Sequence, residues 1–278
     1  MPDRELLEDR VVAVCARMYS RGLIVATEGN VSARVAAERI LITPAGRGKG
    51  FLSPRDLVTV DGEGRKRAGR LEASTELPMH LALYRARPEI GAVVHGHPPT
   101  ATGFAVAGIP LADCVLPEVI VTLGSVPIAG YAMPSSADLG ESVAALARAG
   151  HDGMLLKNHG AVAIGRTVEE AFDRLETIEQ FARIVFTARL LGRVETLAPA
   201  DVARLLGLAQ RPGEPGNPWR CGACRGCRGC DSVDAAASGA ASGGPAQNPV
   251  SNRVAESAAA REHLVDRVAD LVRRRLTE

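Results

Sequence analysis

Residues 92–100 read AVVHGHPPT. An apolar, β-branched run ends on two histidines two apart, and Pro98 and Pro99 stop any continuation. The run predicts a buried strand over Gly91–His95. Along a strand, residues i and i+2 share a face, so His95 and His97 can both address one ion. Gly96 between them adds no side chain to crowd the approach. Two histidines at a strand end also occur as simple hydrogen-bonded groups, so the motif alone leaves both readings open. A second segment, LLKNHGAVAIG (residues 155–165), shifts the balance. It places His159 at another apolar strand end, followed by Gly160. Three imidazoles with one position left open is the ligand pattern of catalytic zinc.

Proton chemistry needs a further group, and EASTELPMH (residues 72–80) supplies Glu76 behind two small hydroxyl residues, Ser74 and Thr75. Ser74 reads as the N-cap of a helix with Pro78 in its first turn. Backbone N–H groups at such a start can hold a phosphate, and the hydroxyls add donors. TEGNVS (27–32) and ITPAGRG (42–48) are glycine-bearing turns suited to close approach of an anion, although each alone also reads as an ordinary β-turn. His80, four residues after Glu76, is given a structural role, because one more ligand would close the open position. His151 and His263 read as surface residues.

Around these motifs the chain reads as mixed α/β. Helices are expected at about residues 3–20, from Ser74, over PTATGFAVAG, over Ser136–Ala149, and in a long segment capped by Thr167. Strands are expected near Val31–Val35, Ile40–Ile42 and Leu57–Val60, with VPIAGYA extended and GMLLKNHGAVAIG as two strands about a turn. No regular βαβ repeat is present, which points to an α/β sandwich rather than a barrel. Aromatic residues are only 3% of the chain, so Ala, Val, Leu and Ile must build the core. The net charge of +1 gives no case for a nucleic-acid partner. No apolar run approaches the roughly 18–20 residues of a membrane span. The N-terminus, MPDRELLEDR, is charged from its start, so a cytoplasmic protein is expected.

The composition changes after residue 210. Residues 1–210 read as one globular domain and RPGEPGNPW as a breaker-rich boundary. Residues 211–230 contain Cys221, Cys224, Cys227 and Cys230 at C-x2-C-x2-C-x2-C spacing. That spacing suits an iron–sulfur cluster or a tetrahedral zinc, and a metal-free cysteine-bearing linker is the third reading. Residues 231–253 are an Ala/Ser/Gly/Pro linker. Residues 254–278 predict an amphipathic helix with Leu264, Val268, Leu271, Val272 and Leu276 on one stripe.

TEGNVS, ITPAG, STELPMH, AVVHGHP and LLKNHG occur in the order and spacing of the class II aldolase/adducin-head family, and about residues 5–195 resemble it. L-fuculose-1-phosphate aldolase and L-ribulose-5-phosphate 4-epimerase represent that family. The resemblance implies a three-layer α/β/α sandwich, usually a homotetramer. It also implies one zinc held by His95, His97 and His159, with Glu76 completing the resting site and moving the proton in catalysis. Gly29, Asn30, Gly46, Ser74 and Thr75 match the family's phosphate-binding positions. The implied reaction is reversible cleavage of a ketose 1-phosphate to dihydroxyacetone phosphate and an aldehyde.

Two departures stand out. Ala45 occupies the place of a threonine that donates to the phosphate in the aldolases resembled. Ungapped comparison puts Cys114 where the fuculose-phosphate enzymes carry a tyrosine proton donor, with Glu118 nearby as a residue that could shape the pocket. Glutamate at 76 favours an aldolase over the epimerases, which carry aspartate there. A related sugar-phosphate epimerase or dehydratase and a non-catalytic adducin-head-like binding module remain as alternatives. The tethered terminal helix resembles the encapsulation peptides that direct enzymes to the shell proteins of bacterial microcompartments.

Overall fold

A computed structural model describes residues 4–209 of the chain. The cysteine-rich segment, the linker, the terminal helix and His263 lie outside the described residues. In chain order the elements are α1 (Arg4–Ser20), β1 (Asn30–Ala36), β2 (Arg39–Ile42), β3 (Val58–Val60), β4 (Lys66–Ala68) and α2 (Leu77–Ala86). They continue with β5 (Ala92–Gly96), α3 (Pro99–Ala107), α4 (Pro117–Thr122), β6 (Ile128–Ala129) and α5 (Ala137–Arg148). The last are β7 (Gly153–Leu156), β8 (Gly160–Gly165), α6 (Val168–Leu190) and α7 (Pro199–Ala209).

The strands form one sheet in the order β4-β3-β2-β1-β5-β8-β7-β6. All neighbours are antiparallel except β6 and β7. Helices cover both faces, which makes the three-layer α/β/α sandwich. Ala92, Val94, Ala161 and Ala163 join one apolar cluster with Val11, Met18, Phe172 and Phe181 of α1 and α6. Val93, Met154, Val162 and Ile164 join the other with Met79, Leu83, Leu139 and Val143 of α2 and α5. Burial on both faces explains why AVV and GAVAIG are unbroken apolar runs rather than alternating ones. Full burial of a side chain such as Phe172 contributes roughly 1.5–3 kcal/mol.

Helix starts follow local chemistry, with one correction. Thr167 Oγ1 accepts from Glu170 N at 3.2 Å, so the expected cap forms, and Ser136 Oγ likewise caps α5 by accepting from Leu139 N at 3.2 Å. Ser74 does not cap α2. Its N–H bonds the Thr43 carbonyl and its own carbonyl accepts from Leu77 N, closing a separate turn. The helix therefore begins at Leu77, with Glu76 in the N-cap position and Pro78 in the first turn. The short helix α4 was not expected from its β-branched sequence, PEVIVT. Pro117 at its first position favours the helix by fixing φ. Among the described residues, no helix is long and apolar enough to cross a membrane.

Candidate metal centre and phosphate cradle

The two histidine segments meet because β5 and β8 are hydrogen-bonded neighbours in the middle of the sheet, with His95 opposite Val162 and Gly96 opposite Ala161. His97 follows the end of β5, and His159 ends the turn between β7 and β8. Asn158 adopts the left-handed region there, at φ 57°. The three ring centroids stand 4.8–5.1 Å apart, and one nitrogen from each ring lies within 4.8 Å of the others. Gly160 is required for this approach. A Cβ there would lie 2.5 Å from the Gly96 carbonyl oxygen and 2.6 Å from His97 Cδ2.

Two of the rings are oriented from behind, whereas His159 Nδ1 is buried without a hydrogen-bond partner among the described residues. His95 Nδ1 donates to the Ala161 carbonyl at 2.9 Å. His97 Nδ1 faces Glu28 Oε2 at 3.2 Å. Both bonds leave the Nε2 lone pairs turned inward, as carbonyl and carboxylate partners do at metal-ligating histidines. Glu76 Oε2 is 3.1 Å from His95 Nε2, and Oε1 is 3.3 Å from His159 Nε2. His95 Nε2, His97 Nε2 and Glu76 Oε1 are buried without a hydrogen-bond partner among the described residues. Lone pairs facing each other at such distances call for a shared proton or a cation between them. Two donors about 2.0–2.1 Å from one tetrahedral zinc are themselves about 3.3 Å apart. The donor set and its spacing fit a divalent metal ion.

The charges agree. Burial opposes ionisation of Glu76, but His95, the bond from Asn30 and His159 outweigh it and hold the carboxyl well below its usual range. Burial, followed by the charge of His95, lowers His159 to about 4. His97 shifts down for the same two reasons. The imidazoles of His97 and His159 are thus neutral and available as ligands near neutral pH.

A cavity of about 300 Å³ opens beside these groups. It is lined by all five expected phosphate residues, Gly29, Asn30, Gly46, Ser74 and Thr75, together with Glu76, His97 and His159. Gly29 has a positive φ of 68°, and a Cβ on it would meet the His95 carbonyl oxygen at 2.8 Å. Ala45 also lines the cavity, so the missing hydroxyl falls where a ligand would feel it.

Lys49 was missed in the sequence. It lines the same cavity, is 2% exposed, and donates from Nζ to the carbonyls of Thr27 and Arg47, both at 2.7 Å. Burial lowers its pKa, against the pull of Cys15 and Glu76. The available signal was a lysine inside the glycine turn RGKG, in a chain with three lysines among its 33 basic residues. Pro134 and Ser135, the latter at φ 65°, come to the cavity from a loop that carried no sequence signal.

Other expectations need correction. Cys114 is fully buried against Ile120 and Val202 and does not line the cavity. Glu118 is exposed on α4 and does not line the cavity either. His151 is half-buried rather than on the surface, with Nδ1 3.3 Å from the Ser125 carbonyl. His80 is fully buried within α2, and burial, then His95, lowers it to about 3 from its ordinary 6.5.

A pH dependence follows from His80. The unfolded chain takes up a proton below about 6.5 that the folded chain refuses until about 3. In metal-free protein, stability is therefore full above about pH 6.5 and declines steadily as the pH falls towards 3. His159 adds to the decline in the same direction. Urea midpoints measured from pH 7 to pH 4 should fall throughout. Flat midpoints would show that His80 is not buried in its neutral form.

The sandwich and its histidine-lined cavity are those of the class II aldolases. Residues 9–186 match the model of the Class II Aldolase and Adducin N-terminal domain, and the chain belongs to that family. It is 32% identical over 181 residues to an L-fuculose phosphate aldolase of Methanococcus maripaludis, covering 65% of this chain and 96% of that protein. It is 31% identical over 205 residues to a 3-oxo-tetronate 4-phosphate decarboxylase of Escherichia coli, covering 72% of this chain and 94% of that protein. The crystal structure of YgbL from Escherichia coli superposes with a TM-score of 0.67 at 29% identity, covering 73% of this chain and 98% of that one.

Proposed function

We propose that the protein is a metal-dependent lyase that cleaves a carbon–carbon bond in a phosphorylated keto sugar or keto acid and retains dihydroxyacetone phosphate as the common product. The observation that carries this reading is the convergence of His95, His97, His159 and Glu76 beside a cavity lined with anion-binding turns. His95, His97 and His159 would hold the ion, zinc by the nature of the donors, which supplies Lewis-acid polarisation of the substrate oxygens. The turns at Gly29–Asn30 and Gly46, with Ser74 and Thr75, bind the phosphate. Lys49 adds a full charge where Ala45 lacks the hydroxyl. Glu76, held ionised, takes the proton from the hydroxyl on the carbon that leaves as aldehyde, and can return a proton to the carbon left behind. Burial of the donors keeps bulk water from these atoms.

The two relatives differ in the leaving fragment. A ketose 1-phosphate gives up an aldehyde, whereas a 3-oxo-tetronate 4-phosphate gives up carbon dioxide. The remaining half, a carbonyl next to a phosphorylated carbon, is the same in both, and it is the half that the metal centre and cradle address. Aldol cleavage is the first reading because Glu76 stands ready as a proton carrier; decarboxylation is the second, favoured by the longer match to the decarboxylase. Purified zinc-loaded protein assayed with fuculose 1-phosphate, rhamnulose 1-phosphate and 3-oxo-tetronate 4-phosphate decides between them. Dihydroxyacetone phosphate with aldehyde supports the first, and with carbon dioxide the second. No dihydroxyacetone phosphate from any of the three defeats the proposal.

Lys49→Met checks the cradle. Removing a charge-assisted bond worth roughly 1.5–3 kcal/mol should raise KM for the phosphorylated substrate about 10- to 100-fold, with zinc content unchanged. An unchanged KM would remove Lys49 from phosphate binding. A homotetramer, and docking of residues 254–278 on microcompartment shell proteins, extend the same proposal. Their support is the family resemblance and the apolar stripe from Leu264 to Leu276.

A further inference from the structure

A buried chain of polar groups runs from Glu76 into the core, and its bonds have only one consistent direction. An ionised carboxylate can only accept hydrogen bonds. Asn30 must therefore turn its NH2 group to Glu76, and Nδ2 donates to Oε2 at 2.7 Å. The amide oxygen of Asn30 is then left to accept from His80 Nε2, at 2.5 Å. A neutral imidazole that donates from Nε2 accepts at Nδ1, where Ser32 Oγ stands at 2.6 Å. Ser32, having given its proton to His80, accepts from the Tyr84 hydroxyl at 3.0 Å. Burial raises the pKa of the Tyr84 phenol and keeps it a donor.

Two periodicities create this chain. Asn30 and Ser32 are two apart on β1 and share the face turned to α2. Glu76, His80 and Tyr84 recur every four residues along the start and body of α2 and form one stripe. All five residues are less than a tenth exposed. Flipping the Asn30 amide would set its oxygen against the carboxylate and its NH2 against the His80 N–H. Two attractive contacts would become two repulsive ones, between groups buried from bulk solvent.

We propose that His80 is a positioning residue for the metal centre. By locking the amide of Asn30, it holds the Glu76 carboxylate with Oε2 facing His95 and Oε1 facing His159. This rests on the reading of Glu76 as the carboxylate of a metal site. It also assigns a role to an invisible part of the STELPMH motif: the histidine four residues on keeps the glutamate aimed, without touching ion or substrate. Partners of this kind behind a metal's ligands typically change affinity 10- to 100-fold.

The test uses two substitutions that each copy half of the ring. In His80→Gln the amide nitrogen reaches the place of Nε2 and keeps the bond to Asn30. In His80→Asn the shorter amide reaches only the place of Nδ1 and keeps Ser32. Zinc affinity, measured by competition with a chelator on the full chain, should stay within about threefold of the parent in His80→Gln and fall 10- to 100-fold in His80→Asn. Repeated in a Glu76→Ala background, the difference between the two should vanish, because a relay that acts through Glu76 has nothing left to orient. A merely structural histidine would lower both variants alike, and the gap, if any, would persist in the second background. Either result overturns the proposal. Nitrogen-15 NMR of the unsubstituted protein gives an independent readout, with the His80 proton expected on Nε2. A proton on Nδ1 would break the chain and sink the inference, even if zinc binds. Protein that binds no zinc, yet shows the Nε2–H form, would defeat the metal reading and with it the positioning role, while leaving the hydrogen-bonded chain standing.

Discussion

His95→Ala is expected to strip the divalent metal from the purified protein and to lower the release of dihydroxyacetone phosphate by roughly 10³-fold or more. The magnitude comes from the several kcal/mol that Lewis-acid catalysis supplies, at about 1.4 kcal/mol per decade. His95 is the central residue of the proposed metal centre by geometry. It is fully buried in β5, its Nδ1 is committed to Ala161, and its Nε2 lies closest to Glu76. Alanine removes that donor and leaves Glu76 Oε2 with only Asn30. Elemental analysis of parent and variant, with circular dichroism to confirm the fold, reads the first half of the expectation directly. Zinc retained at the parent level would defeat the metal centre described here.

Glu76→Gln should behave differently, and the contrast is informative. The amide matches the carboxylate in shape and can still accept from Asn30, and three imidazoles remain to hold the ion. Zinc should therefore persist, although more weakly. Only the ability to carry a proton is lost, and that contribution is typically 10²- to 10⁴-fold in rate. The loss should fall on kcat, with KM for the phosphate end changed little, because the turns and Lys49 are untouched. Parent-level kcat in this variant would show that proton transfer runs through another group.

Much of this centre was legible in the chain, because its main parts obey short periods. His95 and His97 share a face by the two-residue repeat of a strand. His159 is marked by the turn between two apolar runs, and the glycine after it by the need for close approach. What escaped has no period of its own. Lys49 sits in an irregular turn, and nothing local says that its ammonium will be buried between two carbonyls. The capping role expected of Ser74 failed because a distant carbonyl, Thr43, competes for its backbone. The bonds from Asn30 to Tyr84 depend on β1 lying beside β5 in register with Asn30 opposite His95, and on α2 crossing that face. Sequence spacing supplies the two ladders but not their meeting. Cys114 shows the opposite case: a position matched by counting along the chain packs in a small cluster of the core and does not line the cavity.

The placement of β8 next to β5 has an effect on the order of events in the life of the molecule. The third imidazole arrives 62 residues after the second, in the turn that leads into a strand inserted between two others. A ribosome must therefore deliver the chain beyond residue 160 before any complete nest for the ion exists. An ion held here would thus join two neighbouring strands of one sheet whose histidines are synthesised far apart in time.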